Sequence, residues 1–564
     1  MTSQIHVMAG GEAGQGVQSV GFVLAKSFAR GGYHVFADQD YESRVRGGHN
    51  FFRVRASGSE IAAPDETLDI LIALNEESIT LHQEEVTGDG VIIYDSKKVK
   101  RTAGSRMFGM PLGSLTDEKI MENTAALGGA FGLMKYDISI LEKVLTDQFG
   151  TGDTGTKNVA AARAGYDYAE KNYKGLFTCR LPKNRKNQRR MLLNGNEAIA
   201  LGAMAAGCQY VSSYPMTPST TIFEFMAARA DDFGMVVMQA EDEIAAVNMA
   251  VGAGYAGVRS MTTTSGSGFC LMVEGLGLAG ITETPVVIID AQRPGPAVGL
   301  PTRTEQGDLQ FVLSAHQGDF PRIVLAPLTV EDCFRMTIEA FNLADRFQTP
   351  AVILTDHFLA SSYATVEEFD LTKVNTDRGT VYRGNAAGYK RHAFTDSGIS
   401  PRAFPGMGKA LVVTDSDEHD EAGHLTEDAE TRNRMVEKRL KKMSGIGNES
   451  LKPKYYGKNQ PGNLLIGWGS SYGAMHEAVE LLEEEGYDIG MMALNHLSPF
   501  PAEEVASAIT SAVRSFVIEG NASGQLARLI RSETGKTPGR CILRYDGRPF
   551  TPASIIDGLK IGGL

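Results

Sequence analysis

Five short stretches between Asn194 and Gln310 carry side chains suited to a single reaction centre. They are Tyr214-Pro-Met-Thr-Pro218, Glu241-Asp-Glu243, Thr262-Thr-Thr-Ser-Gly-Ser-Gly268, Val286-Val-Ile-Ile-Asp-Ala-Gln-Arg293 and Gly299-Leu-Pro-Thr-Arg-Thr-Glu-Gln-Gly-Asp308. Each lies where an expected strand gives way to a loop or helix, the edge at which open α/β sheets gather their ligands. An acid, hydroxyls and an arginine on one such edge suit a small anionic substrate and a bound cofactor.

Pro215 and Pro218 flank Thr217. Proline fixes its own φ and restricts the residue before it, so the hydroxyl sits in a stiff turn. The same turn also serves a helix start in which Thr217 or Ser219 caps a helix over Ser219–Ala228. Acidic residues at a helix start meet the positive end of its dipole, which accounts for two of Glu241, Asp242 and Glu243. Glu243 is set apart because it leads into a face of alanine, valine and methionine, where a buried carboxyl can share a proton with a ring nitrogen. Arg293 closes an apolar strand and can clamp a carboxylate through paired hydrogen bonds. A surface salt bridge is its other reading, and Arg303 with Glu305 offers such a pair nearby.

Two glycine-rich stretches lie earlier. Gly10-Gly-Glu-Ala-Gly-Gln-Gly16 follows a strand and opens a helix, a setting in which backbone amides suit a phosphate. Arg44-Val-Arg-Gly-Gly48 adds two guanidinia and a second turn, favouring an anionic ligand near Gly14, Gln15 and Gly16. Gly88-Asp-Gly90 resembles a metal–diphosphate motif, but the strand follows it instead of leading into it. It reads as a turn, and the chain is expected to lack a metal–diphosphate site of its own.

The elements that position these residues read as α/β throughout. A strand Ile5–Ala9, a helix from Val17 to about Arg30 and a strand His34–Ala37 form a βαβ opening, with further strands at Leu68–Leu74 and Val91–Tyr94. Strands Val258–Thr263, Val286–Asp290 and Ala351–Thr355 alternate with small-residue helices Ala245–Ala256 and Leu271–Leu278. A second βαβ pattern occupies the C-terminal part. The expected organisation is a first domain over 1–178, a basic linker over 179–190 and a doubly wound domain over 191–372. A polar connector spans 373–462, read either as a solvated segment with one charged surface helix, Ala429–Lys442, or as a segment that docks on a partner subunit, and a final α/β domain spans 463–564. The sheets are expected to be largely parallel.

The net charge of −13 argues against nucleic acid as a general partner, and the basic cluster Arg180–Arg190 lacks interleaved aromatics. The five cysteines form no C-x-x-C pair, so the chain has no evident iron–sulfur or zinc framework. Unpaired thiols suit a reducing cytoplasm. The first residues lack the basic start and apolar core of a signal peptide, and no apolar run of about 18 residues suggests a membrane span.

Taken together, the Tyr-Pro-x-Thr-Pro turn, the Glu-Asp-Glu helix, the Thr-Ser-Gly-x-Gly loop and the Gly-Leu-Pro-Thr-Arg-Thr-Glu-Gln-Gly-Asp segment resemble the α subunit of 2-oxoacid:ferredoxin oxidoreductases. Gly10–Gly16 with Arg44–Gly48 resembles that family's γ domain, here fused ahead of the α part. Asn463–Leu564 is similar to its transketolase-C-terminal-like domain, and Asp415–Met443 resembles the 2-oxoglutarate branch. The resemblance implies that a 2-oxoacid, coenzyme A and oxidised ferredoxin give an acyl-CoA, carbon dioxide and reduced ferredoxin. It implies thiamine diphosphate as cofactor. This chain would hold the pyrimidine end, and a separate β subunit would hold diphosphate, Mg2+ and a [4Fe-4S] cluster in an α2β2 assembly.

By that resemblance Glu243 bonds the aminopyrimidine, with Gly252 nine residues on as in other thiamine-dependent enzymes. Tyr214, Pro215, Met216, Ser265 and Gly266 line the cofactor. Thr217 and Arg293 bind the substrate carboxylate, with Thr302 and Arg303 on the same wall. Gly14, Gln15, Gly16, Arg44 and Arg46 face coenzyme A or a subunit junction. The substrate is expected to be 2-oxoglutarate, with pyruvate or a branched 2-oxoacid as alternatives. Met216 and Pro296-Ala-Val298 depart from the family's common isoleucine and Pro-Ser-Thr. Two rivals are a transketolase-like acyltransferase without electron transfer and a scaffold that has lost the chemistry.

Overall fold

In the computed structural model, residues 4–42, 47–100, 104, 106–178, 181, 189–384, 388–449 and 452–564 are described. Arg44, Arg46, Cys179 and most of the basic linker lie outside these residues. The chain divides into two compact units. One comprises 1–194 with 361–369 and 551–554; the other holds 195–360, 370–550 and 555–564. Among the described residues no helix is long and apolar enough to cross a membrane.

The first unit is built on an eight-stranded sheet. In spatial order its strands are Met107–Met110, Val86–Asp95, Leu68–Ala73, Gln4–Ala13, Gly47–Ser57, His34–Asp40, Tyr363–Val366 and Met191–Asn194. It is mixed where a largely parallel sheet was expected. Gly47–Ser57 inserts between the two strands of the βαβ opening and runs antiparallel to both. The last two strands come from the expected linker–domain junction and from the end of the expected second domain; they pair antiparallel and extend this sheet. Helix Val17–Arg30 packs Val20, Val23, Leu24 and Phe28 into the core. Helices Glu122–Met134 and Asp153–Asn172 cross closely, and a Cβ on Gly128 or Gly165 would collide with the carbonyl of Ala162 or Ala125.

Two local readings change. Gly88-Asp-Gly90 is not a turn: it lies inside the strand Val86–Asp95. The pairing jumps from Leu68–Val86 to Ile70–Val91, so the extra residues bulge out of the ladder and no loop is formed. Gly10 and Gly11 likewise belong to a strand, paired with Phe51 and Asn50, because glycines without side chains suit the close packing under Ser78 and Leu74.

The second unit carries two sheets. The seven-stranded one runs His496–Ser498, Ile323–Leu325, Ala351–Asp356, Val287–Gln292, Ser260–Thr264, Tyr210–Ser213, Val236–Gln239. It is parallel except for His496–Ser498, which pairs antiparallel with Ile323–Leu325. The five-stranded sheet runs Lys454–Gly457, Ile489–Leu494, Asn463–Trp468, Arg514–Glu519, Arg540–Leu543 and is parallel apart from its first strand. Both sheets contribute to one apolar core, in which Ile288, Val352 and Leu276 join Ile466, Trp468 and Leu526.

The connector is not a solvated tether with a surface helix. Helix Ala429–Glu449 lies against the seven-stranded part of the unit. Lys438 Nζ bonds both oxygens of buried Glu283 at 2.6 and 2.8 Å, and Lys442 Nζ reaches the same carboxylate at 2.5 Å. Upstream, Asp345 accepts from Arg259 at 2.8 Å and from Arg402 at 2.7 Å, and Arg378 Nε lies within ion-pair distance of the same carboxylate at 2.9 Å. These charges were visible in the sequence, but their partners are far away along the chain.

Candidate active site

Because the central strands of the second unit run parallel, their carboxyl ends lie along one edge. Tyr210–Ser213 delivers Tyr214 to Pro218, and Val236–Gln239 delivers Glu241 to Glu243. Ser260–Thr264 leads to Ser265-Gly-Ser-Gly268, Val287–Gln292 to Arg293, and Ala351–Asp356 to His357. The crevice at such an edge is where doubly wound sheets bind ligands.

The turn at Thr217 is held from both sides. Asn196 Nδ2 donates to the Pro218 carbonyl at 2.8 Å and to Thr221 Oγ1 at 2.7 Å. Ser219 Oγ donates to the Met216 carbonyl at 2.9 Å and so caps no helix amide; the helix begins at Thr220. Arg293 Nη1 donates to the Thr217 carbonyl at 2.8 Å. No ion pair of Arg293 occurs among the described residues, so it is not the surface salt bridge of the alternative reading. The structure therefore brings Thr217 and Arg293 together. Burial lowers the pKa of Arg293, partly opposed by Asp308.

The three acids at the helix start have different roles. Asp242 is the N-cap, its carboxylate accepting from Ala245 N at 2.7 Å. Glu241 is exposed. Glu243 is 3% exposed, and its Oε1 has no hydrogen-bond partner among the described residues. A buried carboxylate oxygen left alone costs free energy unless a donor meets it. Glycine at 268 makes room for it, since a Cβ there would lie 2.6 Å from that oxygen. Thr264 Oγ1 borders the same space. Ser267 Oγ lies 3.8 Å from Met216 Sδ, which ties the glycine loop to the Pro-Met-Thr turn. Ser265 is fully buried, and its hydroxyl has no partner among the described residues. Gly266 packs against the carboxylate of Asp308.

Thr302 and Arg303 follow on the next segment, where Arg303 Nη1 donates to the Thr302 carbonyl at 3.1 Å. Thr304 Oγ1 donates to Asp356 Oδ1 at 3.1 Å. Sequence reasoning missed His357, which is buried; burial first, then the Arg303 and Arg293 guanidinia, hold its pKa down to about 4. It also missed Gln306. That side chain donates to the Trp468 carbonyl at 2.8 Å and accepts from Gly520 N at 2.8 Å, clamping the motif onto the five-stranded sheet. The Gln in Thr-Glu-Gln-Gly-Asp was visible, but nothing local distinguished a clamp from a ligand.

In the first unit, Gly14, Gln15 and Gly16 form the turn before helix Val17–Arg30. Gln15 Oε1 accepts from Glu12 N at 2.9 Å, and the Gln15 carbonyl accepts from Asn123 Nδ2 at 2.9 Å.

Comparison with known proteins identifies the family. Residues 201–438 match the family "pyruvate flavodoxin/ferredoxin oxidoreductase, thiamine diP-bdg". Residues 6–168 match "pyruvate ferredoxin/flavodoxin oxidoreductase", and 462–555 match "pyruvate:ferredoxin oxidoreductase core domain II". A 2-oxoacid:ferredoxin oxidoreductase subunit alpha from a Sulfolobus species is 33% identical over 96% of this chain and 94% of its own length. The 2-oxoglutarate synthase subunit KorA of Archaeoglobus fulgidus is 35% identical over 60% of this chain and 89% of its own. Among solved structures, 2-oxoglutarate:ferredoxin oxidoreductase from Magnetococcus marinus, with 2-oxoglutarate, coenzyme A and succinyl-CoA bound, covers 100% of both chains. Its TM-score is 0.94 and its identity 30%. Residues 201–438 are thus a thiamine-diphosphate-binding domain, and the chain belongs to the 2-oxoacid:ferredoxin oxidoreductase family as an alpha subunit.

Proposed function

We propose that this alpha subunit oxidatively decarboxylates 2-oxoglutarate to succinyl-CoA, with Glu243, Thr217 and Arg293 as its chemical residues. The observation that carries the reading is the buried, unpartnered Oε1 of Glu243 beside the gap at Gly268. A donor ring nitrogen is the partner such an oxygen lacks, so the residues fit the aminopyrimidine of thiamine diphosphate. When bound, that cofactor supplies a carbon nucleophile for the keto group and an electron sink for the charge left by loss of carbon dioxide.

The chain's own residues orient and bind. Glu243 holds or receives a proton at Oε1. Tyr214, Pro215 and Met216 wall the pocket on one side, and Ser265 and Gly266 wall it on the other. Arg293, kept in place by the Thr217 carbonyl, offers its remaining N–H groups to a carboxylate, and the Thr217 hydroxyl supports the same group. Thr302 and Arg303 extend this wall, and a neutral His357 behind the two arginines avoids a third positive charge.

The choice of 2-oxoglutarate is supported by the full-length likeness to the Magnetococcus enzyme and by the KorA relatives. A broader 2-oxoacid range is the second reading, favoured by the Sulfolobus relative's general name. A partner β subunit would supply the diphosphate, Mg2+ and [4Fe-4S] site, with ferredoxin as acceptor. Gly14 to Gly16, together with Arg44 and Arg46, would meet coenzyme A or a subunit junction. The test is to co-purify the chain with its partner and measure viologen reduction on a panel of 2-oxoacids with coenzyme A. Preference for pyruvate by tenfold or more in kcat/KM would reject 2-oxoglutarate.

A further inference from the structure

Behind Arg293 lie two carboxyl groups that the reading above does not use. Asp290 sits in the strand Val287–Gln292, opposite Thr264, and is fully buried. Neither of its oxygens has a hydrogen-bond partner among the described residues. Asp308 precedes the short helix Leu309–Ser314, with its backbone N–H donating to Gln292 Oε1 at 2.9 Å. Its side chain caps no helix amide, and Oδ2 is buried and unpartnered. Its Oδ1 would lie 2.6 Å from a Cβ on Gly266, so the carboxyl rests against the loop that also borders Glu243. A surface acid would turn outward; Asp290 and the Asp308 Oδ2 are buried, and neither side chain pairs with a lysine or arginine among the described residues.

The charged surroundings of Asp308 are few. Glu305 approaches from its own segment, Asp290 and Arg293 from the strand and the loop after it, and the Cys270 thiol from the helix Gly266–Leu271. Burial, reinforced by Asp308, raises the Asp290 pKa well above the usual carboxylate range, which favours its neutral form. Burial and then Glu305 lift Asp308 to about 7, against the pull of Arg293. Arg293 has no ion pair among the described residues, and Asp308 is the carboxylate that acts on its charge.

We propose that Asp308, backed by the buried Asp290, is a positioning and charge-setting residue that governs how strongly Arg293 attracts the anionic 2-oxoacid. With Asp308 neutral, Arg293 presents its full positive charge to the substrate carboxylate. Once Asp308 ionises, the two charges partly cancel and the oxoacid binds less well. The oxoacid's own carboxylates remain ionised over this range, so the change belongs to the protein. The proposal rests on the reading that Arg293 binds the substrate.

The experiment uses the chain assembled with its partner subunit and follows KM and kcat for 2-oxoglutarate from pH 6 to 8.5. For an unscreened neighbour at moderate dielectric, KM is expected to rise about tenfold across this range while kcat changes much less. Asp308→Asn removes the rise and keeps KM at its low-pH value. Asp308→Glu and Asp290→Asn retain the rise, since one keeps the titrating acid and the other mimics the neutral one. Infrared difference spectra provide a readout independent of turnover. A protonated-carboxyl band should persist at pH 8 in wild type and disappear in Asp290→Asn. A flat wild-type KM profile, or a rise that survives in Asp308→Asn, overturns the proposal while leaving Arg293 in its role. An Arg293→Ala enzyme with wild-type KM overturns the underlying reading, and the proposal with it.

Discussion

Replacing Glu283 by Gln tests what holds the connector helix in place. Glu283 is 0% exposed, while Lys438 and Lys442 are 4% and 1% exposed. Both lysines direct Nζ at the single carboxylate, at 2.5 to 2.8 Å, and His392 donates to it through Nδ1 at 3.0 Å. Arg391 adds a guanidinium that bonds the Glu283 carbonyl at 2.6 Å. Gln keeps the shape and leaves no cavity, so the loss is electrostatic. Two buried ammonium groups lose their counter-charge, and removing one partner of a buried pair costs about 3–5 kcal/mol. Lys442 retains a bond to the Gln348 carbonyl at 3.0 Å, which favours the lower end. At about 1.4 kcal/mol per tenfold, amides of the helix Ala429–Glu449 should exchange faster by roughly two to three and a half powers of ten. Hydrogen-exchange mass spectrometry on the intact assembly reads this without a two-state assumption. Replacing the whole cluster by apolar residues, Glu283→Leu with Lys438→Met and Lys442→Met, should restore much of the protection, because no charge is then orphaned. Exchange in Glu283→Gln within threefold of wild type would show that the ion cluster does not hold the helix.

Further outcomes follow from the same geometry. Glu243→Gln should lower kcat by about 10²–10⁴-fold, the range for loss of a positioned acid–base group, with assembly intact; unchanged turnover at saturating thiamine diphosphate removes Glu243 from the chemistry. Arg293→Ala should weaken 2-oxoacid recognition by about 2–4 kcal/mol, read as a rise in KM, and an unaltered KM contradicts its role. Gly268→Ala presses a methyl group onto buried Thr264 Oγ1 and places it 2.6 Å from Glu243 Oε1, so kcat should fall and the melting temperature should drop with it; full activity would mean that the carboxylate needs no such gap. Lys442 supplies a pH test, because burial lowers its pKa to about 7. Above that pH the unfolded chain holds a proton that the folded one lacks, so this residue's contribution to stability rises from pH 7 toward 10 and is flat below 7. Melting profiles should show a rise that Lys442→Met lacks; identical profiles would refute it.

The placement of the candidate residues at strand ends was legible because those parts are local. Tyr214 to Pro218, Glu243, Ser265 to Gly268 and Arg293 each follow a strand whose apolar run is readable, and parallel pairing then aligns the ends. What escaped depends on partners remote in the chain. Gln306 meets Gly520 across 214 positions, and Glu283 meets Lys438 across 155, so the polar motif gave no sign of a clamp and the charged helix read as ordinary surface. The antiparallel strand Gly47–Ser57 also escaped: the sequence reading placed only a turn at Arg44–Gly48, and both partner strands are chosen by the fold. Asp290 shows the limit most sharply. In sequence it is one acid at the end of an apolar strand, the usual sign of a residue emerging into water. In the fold it is fully buried between neighbouring strands, and under the proposal above Arg293 depends on Asp308, 15 positions away in sequence (from 293 to 308). A motif can name the residue that touches a substrate, but the field in which that residue works comes from the fold.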